Sequence, residues 1–413
     1  MNIVFFVLVL AAVVCAGFGD VSAIVSGVGQ PTAMAAVGTA AFEGAKSSVT
    51  LAISLAGAMT LFLGLMKVVD AAGGLDALAR LIRPVLVRLF PDVPATHPAM
   101  GAIVMNIAAN VLGLGNAATP FGIKAMQELD TLNKHPGTAT NAMVLFLAIN
   151  TSGVAVLPTG VMALRAAAGS NDPAAIFIPT LVASAFNTVI AVLAAKGFSR
   201  LFPTPTPPDV HKTTERWIDL LPLIVVTGAF GALVGVVALY KETASAWIIP
   251  TLILGMLTVG VVRGVKVYEV FIEGARDGFS SAMRIIPYLV AILTAVGMLR
   301  ASGAMDWLVK LASPAVALIG MPPEVLPLAL LRPLSGSGAF ALTGELTKTY
   351  GPDTLIGQVA GTMQGTTETT FYVLAVYFGA VNIIKTRHAV PTGLVSDISG
   401  VLAAVAACHW LIG

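Results

Sequence analysis

Apolar residues fill most of this chain, and the places where polar residues interrupt them set its plan. Runs of the length that crosses a bilayer, about 17–25 residues, fall at 2–18, 48–69, 139–164, 174–196, 218–240, 246–264, 284–300, 355–382 and 390–412. Four stretches between them, 75–90, 97–134, 305–318 and 323–348, are too short or too interrupted for a simple crossing. In 75–90, Arg80, Arg83 and Arg88 recur among apolar residues at helical spacing, which predicts a helix lying in the membrane interface. Residues 105–126 are apolar enough for membrane depth, yet they carry Asn106, Asn110 and Asn116. Thr119-Pro120 predicts that the helix breaks and restarts there, since a proline at the first helical position lacks an N–H that would go unpaired anyway. Residues 330–346 predict a second break around Ser335 and Ser337, and 139–164 predicts one at Leu157-Pro158-Thr159. At membrane depth such breaks hold only where they are buried in protein or line a cavity. Their helix ends concentrate free N–H groups and partial positive charge.

The two halves repeat each other. Phe42-Glu43-Gly44-Ala45-Lys46 recurs as Ile272-Glu273-Gly274-Ala275-Arg276, Gly64 and Lys67 as Gly297 and Arg300, and Pro84 as Pro314. Residues 179–184 recur as 391–396. The copies read as inverted, because the basic loops fall in non-equivalent places: Arg80, Arg83 and Arg88 in the first, Lys385 and Arg387 in the second. With the Pro-rich linker 197–216 in the cytoplasm, basic residues concentrate inside, as the positive-inside rule requires. The expected fold is therefore all-α and polytopic, with a first repeat over 1–196, a linker over 197–216 and a second repeat over 217–413. The N-terminus is expected in the cytoplasm and the C-terminus outside, and inverted repeats with broken helices are a transporter architecture.

Composition agrees: 57% of the 413 residues are hydrophobic and 11% are charged, against roughly 25% charged in soluble domains. No basic tract suggests nucleic acid, and the scattered histidines lack metal-ligand spacing. Cys15 and Cys408 read as small buried hydrophobes. With no nucleotide loop and no catalytic triad, neither an enzyme nor a cofactor is expected. Residues 3–14 resemble a signal-peptide core but lack a preceding basic residue, so a retained helix is expected.

The polar residues at membrane depth are the candidate site. In the first copy they are Asn106, Asn110, Asn116, Thr119, Asn150, Thr151 and Ser152, neutral groups suited to orienting a solute. In the second they are Arg332, Ser335, Ser337, Gln364, Thr366, Thr367 and Glu368. A charge at the bilayer centre costs about 2.5–3.5 kcal/mol even on the lenient insertion scale, so Arg332 and Glu368 are expected to face the interior. Two readings fit them: an ion pair locking the hairpins, or a coupling carboxylate beside an anion-binding guanidinium. Asp397 is a second candidate for the coupling ion and equally a partner for a neighbouring helix. Glu345 is a weaker candidate. Gly231-x-x-x-Gly235 matches a helix-dimer motif, consistent with a homodimer or with ordinary packing.

These motifs carry a family resemblance. HPAMGAIVMNIAANVLGLGNAATPFGIKAM and NAMVLFLAINTSGVAVLP resemble the spore maturation protein A family. RIIPYLVAILTAVGMLRASGAMD, LPLALLRPLSGSGA and YGPDTLIGQVAGTMQGTTETTFYVLAVYFGAV resemble spore maturation protein B. Together the matches read as a fusion of the two, within the Gate (nucleoside-recognition) membrane proteins. The resemblance implies an inner-membrane protein with two Gate domains and a transport role. The expected function is secondary transport of a small polar or anionic organic solute. The alternatives are nucleoside transport coupled to H⁺ or Na⁺, and a non-transporting scaffold for envelope or spore maturation. The partners expected are the solute, H⁺ or Na⁺, and the lipid bilayer.

Overall fold

The computed structural model describes residues 2–26, 32–153, 158–202 and 241–411, with scattered positions between 221 and 235. The linker beyond residue 202 and most of the expected span 218–240 lie outside the described residues. The rest is helical, with a single isolated β-bridge between Thr138 and Lys385 among the described residues. In the first half, α1 is Asn2–Ser26, α2 Ala33–Ala71, α3 Gly74–Leu89, α4 Pro98–Val111, α5 Gly115–Thr131, α6 Asn141–Thr151, α7 Thr159–Ala167 and α8 Phe177–Leu201. In the second, α9 is Lys241–Val262, α10 Val267–Ala301, α11 Ala304–Ala317, α12 Leu326–Leu331, α13 Gly336–Tyr350, α14 Leu355–Thr366, α15 Thr370–Gly379 and α16 Ala389–Leu411. From α2 through α8 and from α10 through α16 the order is the same: a long helix, a short amphipathic helix, a hairpin, a broken helix and a full crossing.

The long helices exceed the expected spans. α2 has 39 residues and α10 has 35, so at 1.5 Å per residue each is well over the roughly 30 Å of a bilayer core. Ala-rich, proline-free sequence ahead of residue 48 gives α2 no reason to stop. The pair packs antiparallel through glycines. A Cβ on Gly44 would come 2.8 Å from the Leu293 carbonyl oxygen, and one on its counterpart Gly274 would come 2.7 Å from that of Leu63. The start of each helix thus meets the end of the other, and the two repeats point in opposite directions.

Two expectations at the breaks change and two hold. The first hairpin turns at residues 112–114, where Gly113 takes φ +73°, and not at Thr119-Pro120. Gly113 is free to adopt the left-handed turn that ends α4, and Pro120 lies inside α5. The span 139–164 breaks as expected, with α7 starting directly after Pro158. The span 355–382, expected to be continuous, breaks at 367–369: Thr367 and Thr369 are extended. A run of β-branched threonines after Gly365 both resists the helix and offers hydroxyls that compete for its backbone groups. The second hairpin breaks where expected, with Ser335 capping α13 by accepting the Gly338 N–H at 3.0 Å.

Candidate functional site

The two broken helices cross at their breaks. The Glu368 N–H donates to the Thr151 carbonyl at 2.9 Å, so the unwound backbone of one repeat is bonded to the last turn of α6 in the other. Gly153, with φ +64°, lies so close that a Cβ there would be 2.8 Å from the Thr366 carbonyl oxygen. Helix ends and unwound peptide groups from both repeats therefore share one place.

On the α6 side a buried amide cluster forms. The Asn106 amide donates to the Ala118 carbonyl at 2.8 Å and to the Tyr377 hydroxyl at 3.3 Å, tying α4 to α5 and to α15. Asn110 donates to Asn150 Oδ1 at 2.9 Å, and the Tyr377 hydroxyl donates to the same oxygen at 3.4 Å. The Tyr377 ring stacks on Phe146, centroids 5.7 Å apart. Asn106 and Asn150 are buried, whereas Asn110 is only partly so. Thr151 and Ser152 turn their hydroxyls back onto the carbonyls of Ala148 and Ile149.

On the α14 side, Arg332 is 4% exposed. Its guanidinium donates to the Thr369 hydroxyl at 3.1 Å, to the Gln364 carbonyl at 3.2 Å and to the Thr367 carbonyl. It lies 4.0 Å from the Glu368 carboxylate. Arg332 thus closes the carbonyl end of α14, as a cation at a helix C-terminus should, and its guanidinium is turned onto the protein. Thr366 bonds back to the Thr362 carbonyl. Buried oxygens of Gln364 and Thr367 have no partner.

Glu368 is different, with a side chain 58% exposed. A carboxylate in a span facing either acyl chains or water will face water, given its cost in hydrocarbon. Asp397, on α16, is 6% exposed and accepts the Thr370 hydroxyl at 3.0 Å. Glu345 is taken up by Arg300 at 2.8 Å, outside the crossing. Thr119, the fifth residue of α5, and Ser337, the second of α13, are partly buried. Asn116 lies in α5, its side chain outside the described residues.

Sequence reasoning missed the seam between α8 and α16. Asn187 accepts from Ser399 at 2.6 Å and Ser396 at 3.2 Å, and donates to the Ser152 carbonyl at 3.3 Å; Ser184 donates to the Gly153 carbonyl at 2.7 Å. The signal was present, since Ser184 and Ser396 are equivalent positions of the repeated 179–184 motif. It also missed the Arg165 latch. Arg165 is fully buried and donates to Asp353 Oδ1 at 2.9 Å, and to the Pro352 and Asp172 carbonyls. Burial works to raise the Asp353 carboxyl, but the Ser170 hydroxyl, the Asn171 N–H and the Arg165 charge outweigh it and hold it below its usual value.

Comparison with known proteins agrees with this architecture. A family model described as Gate, nucleoside recognition, matches residues 52–168 and 282–384, one segment in each repeat. The chain is 48% identical over 165 residues to spore maturation protein B of Bacillus subtilis, covering 40% of this chain and 93% of that one. It is 43% identical over 162 residues to spore maturation protein A of the same organism, covering 39% and 83%. Over 82 residues it is 32% identical to the inner membrane protein YjiG of Escherichia coli K12, covering 20% and 54%. Two relatives that each account for about two-fifths of the chain, and two inverted copies of one helical plan, are what a fusion of two such proteins contains. The chain is an all-α, multi-pass membrane protein and belongs to the Gate, or nucleoside-recognition, family.

Proposed function

We propose that this chain is a secondary transporter that carries a small polar organic solute across the cytoplasmic membrane, with its N-terminus inside and its C-terminus outside. The observation that carries the reading is the crossing itself, where the Glu368 N–H meets the Thr151 carbonyl and the adjoining carboxylate stays exposed. Inverted repeats bring their broken helices together at a transport site, and the exposed Glu368 carboxylate and the partly exposed Asn110 amide, whose partner Asn150 precedes Thr151, give a solute a charge and an amide to meet. The anionic solute expected from Arg332 is less well supported, because that guanidinium is spent on Gln364, Thr367 and Thr369.

A nucleoside is the second reading. It is favoured by the exposed Tyr372 ring, in the same short helix as Tyr377, since aromatic faces stack bases. The test is a thermal-shift screen of the purified full-length protein against polar metabolites, nucleosides forming one panel, followed by uptake into proteoliposomes. A saturable shift that is lost in Glu368→Gln and Asn110→Ala supports the reading. A screen with no saturable ligand in any panel favours the scaffold and overturns it.

A further inference from the structure

We propose that the ion coupled to transport is a proton carried by Asp397, and that the Arg332 guanidinium stands at the second break in the position a coupling metal cation would need. This rests on the transporter reading and names its ion.

Where a membrane helix unwinds, its free carbonyl oxygens and the negative end of its dipole are what coordinate a sodium ion. Here several of the freed carbonyls at both breaks, among the described residues, are already taken by the protein's own donors. At the end of α14, Arg332 takes the carbonyls of Gln364 and Thr367 together with the Thr369 hydroxyl. At the end of α6, Thr151 and Ser152 take the carbonyls of Ala148 and Ile149, Asn187 takes that of Ser152, and Ser184 takes that of Gly153. A metal cation would have to displace N–H and O–H donors, one of them charged, from the atoms it needs.

Asp397 offers the alternative. It lies eight residues into α16, about 12 Å along the helix, and lines a cavity of about 440 Å³ whose other walls include Leu326, Leu330, Leu334, Leu394 and Ile398. One carboxyl oxygen accepts from Thr370 on α15, and the other is buried without a partner. Among the described residues, the charged groups acting on this neighbourhood are Arg332, from the residue after α12, and Glu368, which is the carboxylate Arg332 approaches within 4.0 Å. The neighbouring Ser396 and Ser399 hydroxyls are turned to Asn187 on α8. A carboxylate with one neutral donor in an apolar wall is far costlier than the uncharged acid, so Asp397 holds a proton on its unpartnered oxygen. Loss of that proton leaves a carboxylate that draws Arg332 away from the carbonyls closing the second break. Proton release and loosening of the crossing are thereby one event, and taking up a proton reverses both.

The test needs no solute. Full-length protein in lipid nanodiscs is titrated with acid and base under infrared observation of the protonated-carboxyl C=O band, and equilibrium binding of radiosodium is measured on the same sample. The expected result is a titrating carboxyl band that is lost in Asp397→Asn, shifted in Asp397→Glu and kept in Glu368→Gln, with no saturable sodium binding. Saturable sodium binding by the wild type, or a band indifferent to both Asp397 variants, overturns the proposal. An empty metabolite screen leaves these readouts untouched, whereas solute uptake driven by a sodium gradient would overturn the proton while keeping the transporter.

Discussion

Gly153→Ala is the sharpest perturbation of the crossing. The residue has φ +64°, and an added Cβ would stand 2.8 Å from the Thr366 carbonyl oxygen and 2.8 Å from Thr367 Cα, backbone atoms that cannot rotate away. Holding alanine in the left-handed region costs about 1–2 kcal/mol. Forcing the two backbones apart adds about 1–3 kcal/mol, the usual range for overpacking. Separation also strains the Glu368–Thr151 hydrogen bond, which is worth about 1 kcal/mol. The total is about 3–6 kcal/mol, most of it steric. Gly169→Ala is the control: its φ is +81°, but nothing lies within 4 Å of the added carbon, so only the backbone term of about 1–2 kcal/mol applies. Reversible unfolding of both variants in mixed micelles measures the difference. Equal losses, within about 0.5 kcal/mol, would refute the claim that the breaks touch at Gly153.

Arg332→Gln should destabilise the fold by about 1–3 kcal/mol, the cost of leaving buried carbonyl acceptors unpaired, while Arg332→Lys recovers part of it; equal melting of all three forms would contradict the assigned role. Asp353 contributes stability only above its ordinary carboxylate range, because its folded value is depressed. The melting-temperature gap between wild type and Asp353→Asn should therefore be full near neutrality and close as pH falls through about 4 and below; a gap that persists in acid would place the Arg165 latch elsewhere. Cysteines introduced at Arg83 on α3 and Lys310 on α11, in a Cys15→Ser, Cys408→Ala background, should label from opposite sides of the membrane. Each of these helices directly follows one of the antiparallel pair α2 and α10, and labelling from one side would reverse the inverted topology.

Much of this architecture was legible in the residues. The repeated Glu-Gly-Ala motifs that reveal the duplication are also the packing face of α2 and α10, since the same glycines let the two helices approach. The break around Ser335 was legible in the Ser-Gly-Ser-Gly run, whereas the use of the Ser335 hydroxyl as the cap of α13 shows only in the structure. The first hairpin was misplaced because proline is a louder signal than glycine, yet Gly113 alone could take the left-handed turn. The second break was hidden for a related reason: no proline marks residues 367–369, and the threonine run speaks through rotamer preference and hydroxyl competition. The direction of a side chain is the part that no pattern carries. Arg332 and Glu368 are both charged residues at membrane depth, but one is folded onto carbonyl oxygens and the other is left exposed. Asn187 was overlooked because a lone amide in an apolar span has no repeat to flag it.

Transport through the crossing requires Glu368 to face water at the point where the repeats meet. In the same cysteine-free background, Glu368→Cys should react with a membrane-impermeant thiol reagent at a rate comparable to a cysteine in the exposed loop at Asn171. A site that reacts only with a lipid-soluble maleimide would show that the crossing opens onto acyl chains and would contradict the account.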